Sequence, residues 1–155
     1  PYFLFSLGGG LLQPRLINSV RGLAINQHSG WSPEYKGSNT SHQALYHRDL
    51  VRVGNTVHLL ASGADSGAIL RRSSVKVHEG DSLDDVFMAA IALGTELLFE
   101  LLSEALEVDS LPVFHQPHMG KTCLAQDLTS HRLKCIEQDL DNGWLQNAIA
   151  EEQNW

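Results

Sequence analysis

Residues 2–7 form an apolar run, YFLFSL, that stops at Gly8-Gly9-Gly10. This is the pattern of a strand buried on both faces and followed by a loop, as in parallel sheets. Pro14 then opens a short helical stretch over 15–20, and Gly22 stops it before a second apolar run, Leu23-Ala24-Ile25. The three pieces make a strand, helix, strand unit. Residues 27–37 are rich in Ser, Gly and Pro and hold Trp31 and Tyr35, so they read as a long structured loop at the carboxyl end of the second strand. Ser38 or Asn39 is placed to cap a helix running through Ala44-Leu45-Tyr46. Over 55–60, Thr56 and His58 alternate with Val57 and Leu59, the period of a strand with one wet face. A glycine-framed loop over 62–67 leads into another strand over 68–77, whose polar middle is Arg71-Arg72-Ser73-Ser74.

Ser82 with Asp85 three residues later marks a helix start. Leu83, Phe87, Ala90, Leu97, Leu101 and Ala105 follow at helical spacing, which predicts one long amphipathic helix. Beyond Leu111-Pro112 the chain turns polar and less regular through Met119. Thr129 or Ser130 opens a second amphipathic stretch with Leu133, Ile136 and Leu140, broken at Asp141-Asn142-Gly143. Trp144-Leu145 and Ile149 extend it as a short final helix, and residues 151–155 are expected to fray. The predicted class is α/β: a partial doubly wound, Rossmann-like, mostly parallel sheet over 1–110, with a long helix at its carboxyl end and a helical tail over 111–155.

Length and composition narrow the function. The chain has 155 residues, room for one ordinary domain. Hydrophobic residues make up 43% and charged residues 19%, enough to bury a core. The formal charge of −7 comes without a basic tract and argues against broad affinity for nucleic acid. Two cysteines are too few for a disulfide scaffold and point to a reducing, cytoplasmic setting. No unbroken run of eighteen apolar residues occurs, so no membrane crossing is expected. The opening PYFLF has neither a start Met nor the basic and small-residue flanks of a signal peptide, and reads as a strand entered midway.

Three residues form the informative constellation. Asn26 and His28 stand at the carboxyl end of one predicted strand, and Asp65 stands in the glycine loop after another. In open α/β sheets the functional crevice lies at that end of the strands, so the three could converge there. His28 with Asp65 would make a general acid/base pair, the carboxylate orienting the imidazole and favouring its protonated form, while Asn26 would offer an amide hydrogen to a developing oxyanion. The plainer alternative is an Asn that ties down a turn beside a surface His.

The residues around them resemble a known family. The segment NQHSGWSPEYKG, from Asn26 to Gly37, is similar to the N-x-H-x-(small)-x-x-P-x-(aromatic)-(Lys/Arg)-G stretch of the folate-dependent formyltransferases, a superfamily that includes the methionyl-tRNA, glycinamide ribonucleotide and sugar-nucleotide enzymes. Ala44-Leu45-Tyr46 and Val53-Gly54-Asn55-Thr56-Val57-His58 resemble that family's helix and G-x-T-x-H strand. Gly63-Ala64-Asp65-Ser66-Gly67-Ala68-Ile69-Leu70 resembles its G-x-D-x-G-x-I loop, and Ser82-Leu83-Asp84-Asp85 the start of its helix. The resemblance runs over residues 3–107. It implies a formyltransferase-type fold, with Asn26, His28 and Asp65 as the catalytic Asn, His and Asp. It also implies that Gly8, Gly9, Gly10, Leu11 and Leu12 line one wall of the folate pterin pocket and the backbone at Ala64 the other. The family's domain normally carries several βα units ahead of the segment at Tyr2, so the resemblance is to its carboxyl-terminal portion. Its pterin loop usually holds a bulky residue, often with an Arg, where this chain has Gly8-Gly9-Gly10.

The chemistry so implied is formyl transfer from 10-formyltetrahydrofolate to an amine, such as that of an amino sugar nucleotide or an aminoacyl group. In it Asn26 and protonated His28 stabilise the tetrahedral oxyanion, each such donor contributing about 3 kcal/mol, and Asp65 keeps His28 charged and helps move the amine proton. No covalent enzyme intermediate is needed, and no G-x-S-x-G elbow is present to make Ser29 or Ser32 a nucleophile. A hydrolase that releases formate would use the same three residues. A catalytically inactive module that dimerises through an exposed sheet edge is the reading from another class.

Other candidates point elsewhere. His115, His118, Cys123 and Cys135 could ligate a metal, but their spacing matches no common zinc pattern, and no metal is expected. Arg71-Arg72 could meet an anionic acceptor or sit on a solvated strand face. His58 could belong to the pocket rim or be a half-exposed strand residue, and Trp31 and Tyr35 could flank the acceptor entrance or anchor their loop.

Overall fold

The computed structural model describes residues 2–78, 80–117 and 120–144. Four strands form the main sheet: β1 (Phe3–Leu7), β2 (Leu23–His28), β4 (Gly54–Leu59) and β5 (Ile69–Ser74), in the order β1-β2-β4-β5. A second sheet pairs β3 (Tyr35–Gly37) with β6 (Lys121–Cys123). The helices are α1 (Pro14–Ile17), α2 (Thr40–Tyr46), α3 (Leu83–Ala105) and α4 (Ser130–Asp141).

The α/β class with a central sheet and a long helix stands as expected, but the strand directions correct the expected mostly parallel sheet. Only β1 and β2 run parallel, whereas β2–β4 and β4–β5 are antiparallel. The loop between β4 and β5 is too short for a crossover and can only return the chain antiparallel.

Burial differs from the periodicity at two strands. β1 is not covered on both faces: Phe3, Phe5 and Leu7 are 43%, 38% and 47% exposed, because β1 is an edge strand with one open face. β4 has no wet face, since Thr56 and His58 are as buried as Val57. Polar residues alternate there because they bond to neighbouring backbone rather than to water. Thr56 Oγ1 donates to Gly30 O (2.7 Å) and accepts from the Ser32 N–H (3.1 Å).

α3 begins where the sequence places it. Ser82 Oγ accepts from the Asp85 N–H and the Asp85 carboxylate accepts from the Ser82 N–H, a reciprocal capping box. Leu97, Leu98 and Leu101 pack on Ile25, Val57 and Leu70 of the sheet, the first of two apolar cores. The second gathers Ala44, Leu45, Val53, Val77, Val86 and Ile136, with Trp144 against it. By length and composition α3 meets the requirement for a membrane crossing, with a mean hydropathy of 1.8 over its most apolar stretch. The expectation that no such helix exists counted only unbroken runs and is corrected to that extent, although here one face of α3 packs on the sheet.

Gly94 sets how closely α3 approaches. A Cβ there would collide with the Asn55 carboxamide and with Gln27 Nε2. Those two side chains tie the helix to the sheet: Gln27 Nε2 donates to Ile91 O (2.8 Å) and Asn55 Nδ2 to Ala90 O (2.9 Å).

α2 starts after Asn39, which adopts a left-handed φ of 53° and makes no side-chain cap, so the capping expected of Ser38 or Asn39 is not formed. α4 is capped by Thr129 and ends at Asn142. The segment after α3 is not purely helical, since it contributes β6 and an antiparallel bridge between Phe114 and Ile69. The final helix expected around Leu145 and Ile149, and the fraying expected over 151–155, lie outside the described residues.

Candidate active site

β2 alternates in the ordinary way of a strand, so Asn26 and His28 share one face while Gln27 points to α3. β4 lies beside β2 with Asn26 opposite His58. The 62–67 loop then folds Asp65 back over both strands. Asp65 takes a left-handed φ of 43°, a region that Asp tolerates better than most side chains.

The Asp65 carboxylate is the hub of the cluster. Its Oδ1 accepts from Asn26 Nδ2 (3.2 Å) and lies 3.3 Å from His58 Nε2. Its Oδ2 accepts from the Gly37 N–H (2.8 Å) and lies 3.3 Å from His28 Nδ1. The second hydrogen of Asn26 Nδ2 goes to His58 Nε2 (3.2 Å). Both ring tautomers follow from these partners. His28 Nε2 faces the Tyr35 carbonyl at 2.9 Å and His58 Nδ1 faces the Leu59 carbonyl at 2.8 Å, so each of those nitrogens carries a hydrogen. That leaves His28 Nδ1 as the nitrogen turned to the carboxylate.

The electrostatics follow from burial. His28 is only 6% exposed, and the loss of water pushes its pKa below the ordinary 6.5 despite the opposing pull of Asp65 and of the Tyr35 carbonyl. Burial and the Asp65 carboxylate therefore act on the ring in opposite senses, burial being the larger influence. For Asp65 burial alone would raise the pKa, but the adjoining His58 and His28 rings and the Gly37 N–H together hold it below its ordinary value, so it is ionised.

A cleft of about 490 Å³ opens onto this cluster. Gly8, Gly9, Gly10, Leu11 and Leu12 line it, as do Leu60, Ala61, Gly63, Ala64 and Asp65, with Phe87 and Ile91 of α3 also in its lining. Asn26, His28, Asp65 and His58 all face it. The residues that the resemblance marks as catalytic or folate-binding therefore all line one cavity, and the alternative of a surface His is excluded by the burial of His28. His58, open in the sequence between pocket rim and half-exposed strand, is 2% exposed and belongs to the cluster.

The remaining candidates serve the frame. Arg72 stacks on Trp31 at 4.2 Å and donates to Ser32 O (2.6 Å), so Trp31 anchors its loop. Arg71 pairs with Glu104. Tyr35 donates to Asp49 and its hydroxyl pKa is pushed up to about 12, first by burial and then by that carboxylate. Among the described residues no group of three His, Cys, Asp or Glu side chains is placed to hold a metal; His118 lies outside them. Backbone groups of β3, and Gln116 on the far side of the Asp65 loop, are parts of the cluster that the sequence reading did not include.

Comparison with known proteins decides the family. The formyl transferase family model matches residues 8–102. The chain belongs to that family. The methionyl-tRNA formyltransferase of Pediococcus pentosaceus is 30% identical over 105 residues, covering 68% of this chain and 32% of that protein. The methionyl-tRNA formyltransferase of Thermosipho melanesiensis is 27% identical over 141 residues, 91% of this chain and 43% of that protein. The chain thus spans about a third to two fifths of the length of these curated relatives. Among solved structures, the formyltransferase PseJ from Anoxybacillus kamchatkensis, in complex with UDP-4,6-dideoxy-4-formamido-L-AltNAc and tetrahydrofolate, superposes with a TM-score of 0.71 at 23% identity, covering 85% of this chain and 76% of that one. That likeness supports the formyltransferase fold read from the sequence.

Proposed function

We propose that this chain transfers a formyl group from 10-formyltetrahydrofolate to an amine, with Asn26, His28 and Asp65 as catalytic groups. The observation that carries the reading is the meeting of an amide, an imidazole and an ionised carboxylate on one wall of the cleft, in a chain of the formyl transferase family.

The cleft suits a folate. Its volume falls in the range of small-molecule sites. A Cβ built at Gly8 or Gly10 would meet nothing within 4 Å, so that wall is open backbone able to lie along a flat ring, between the apolar side chains of Leu7 and Leu11. Bound there, 10-formyltetrahydrofolate supplies an activated formyl group.

The residues then divide the work. His28 Nε2 is committed to Tyr35 O, which leaves Nδ1 as the place where the proton of the attacking amine comes to rest. Asp65, 3.3 Å away, stabilises the imidazolium so formed, and His28 returns the proton to the departing nitrogen. Charge developing on the formyl oxygen is met by that cation and by Asn26, which exchanges one of its two 3.2 Å bonds for it. A donor of this kind is worth about 3 kcal/mol of barrier.

The relatives supply the acceptors to try. The chain is incubated with 10-formyltetrahydrofolate and either a UDP-linked amino sugar or methionyl-tRNA, and tetrahydrofolate, formate and the formylated acceptor are measured. A formylated acceptor is the expected result. Formate released without any amine would make the protein a hydrolase. Absence of turnover together with no calorimetric binding of tetrahydrofolate would refute the reading.

A further inference from the structure

The segment after α3 lies beyond the family match at residues 8–102, yet it reaches the site. Phe114 and Ile69 exchange both backbone hydrogen bonds (2.8 and 2.9 Å), which brings residues 114–116 alongside the loop that carries Asp65. Gln116 then turns its carboxamide onto that loop. Its Nε2 donates to Asp65 O (2.8 Å) and to Gly67 O (2.6 Å), spending both hydrogens there. Among the described residues its buried Oε1 has no partner, and the hold on the loop runs through that nitrogen.

The loop has reason to need such a hold. Asp65 sits at a φ of 43°, and at Gly67 the Leu59 carbonyl leaves no room for a Cβ. On the other side of Asp65, the same downstream segment pairs β6 with β3, whose Gly37 N–H meets the carboxylate and whose Tyr35 carbonyl meets His28.

We propose that Gln116 is a positioning residue, which fixes the backbone of Asp65 so that its carboxylate meets Asn26 and His28 from β2, the Gly37 N–H from β3 and His58 from β4. Its kinetic consequence rests on the formyl-transfer reading, but its geometric consequence does not.

The test is made on the full chain by NMR. In the unmutated protein, scalar coupling across the hydrogen bonds from Gln116 Nε2 to the Asp65 and Gly67 carbonyl carbons is expected, and its absence overturns the proposal. In Gln116→Leu, which keeps bulk and removes both donors, the Asp65 carboxyl should titrate higher and the His28 ring lower than in the unmutated chain. If that variant does not fold, Gln116→Asn, one methylene shorter, should move both titrations in the same directions. Unchanged titrations in a folded variant overturn the proposal. In the transfer assay kcat should fall about tenfold or more with KM little changed, as a misplaced catalytic group predicts. Shifted titrations in a chain that transfers no formyl group would leave the positioning role standing and remove the function; transfer at an unchanged rate by a variant with unshifted titrations would do the reverse.

Discussion

Replacing Asp65 by Asn keeps the shape of the hub and removes its charge. The carboxylate, 14% exposed, accepts from Asn26 and from the Gly37 N–H and faces His28 Nδ1 and His58 Nε2. An amide has one accepting oxygen and, in place of the second, a donating NH2. If its oxygen stays toward Gly37, its NH2 meets the NH2 of Asn26; if it turns, its NH2 meets the Gly37 N–H. Either way one donor faces a donor, and a bond to an ionised group, worth about 1.5–3 kcal/mol, is lost. We expect Asp65→Asn to cost about 2–3 kcal/mol at neutral pH and to slow formyl transfer about 10²- to 10⁴-fold. The sign with pH follows from the depressed pKa of Asp65. A carboxylate titrating lower in the folded chain than in the unfolded one stabilises the fold above the unfolded value, and that contribution fades as pH falls through the folded value. Urea unfolding of both proteins at pH 7 and in progressively stronger acid should show a gap that closes toward low pH. Equal midpoints at pH 7, or a gap undiminished in acid, would refute this account of the hub.

Other outcomes follow from the same geometry. Asn26→Ala should lower kcat by about 10²- to 10³-fold with a smaller effect on folate affinity, read by steady-state kinetics beside calorimetry. Thr56→Val leaves the buried Gly30 carbonyl and Ser32 N–H without their partner; at about 1–3 kcal/mol for each such group, it should lower the urea midpoint strongly. Gly94→Ala forces a Cβ into the Asn55 and Gln27 carboxamides and should cost about 1–3 kcal/mol, seen as a lower Tm.

Much of the site was legible because its signals are local. The Asn26-x-His28 spacing places two side chains on one strand face, the glycines around Asp65 announce a tight loop, and Ser82 with Asp85 marks the helix start. What escaped depends on partners far along the chain. Thr56 and His58 look like a solvated face because they are polar, whereas Thr56 bonds the Gly30 carbonyl and His58 lies against Asn26. β3 and β6 are three residues each, too short to show a period, so their pairing left no trace in the pattern. Strand direction was equally hidden, since an apolar run reads the same both ways. The balance at His28 is only half visible in the sequence, which shows a nearby carboxylate but not the extent of desolvation.

Gln27 stands between the two residues of greatest chemical interest and faces away from them. Its bond to the Ile91 carbonyl indexes a helix whose leucines and alanines would otherwise slide past the sheet at little cost, and Asn55 supplies a second notch beside it. An insertion or deletion of one residue in α3 ahead of Ala90 would turn both notches out of alignment, and the strand bearing Asn26 and His28 would lose its backing although no residue of the cleft's own chemistry had been touched.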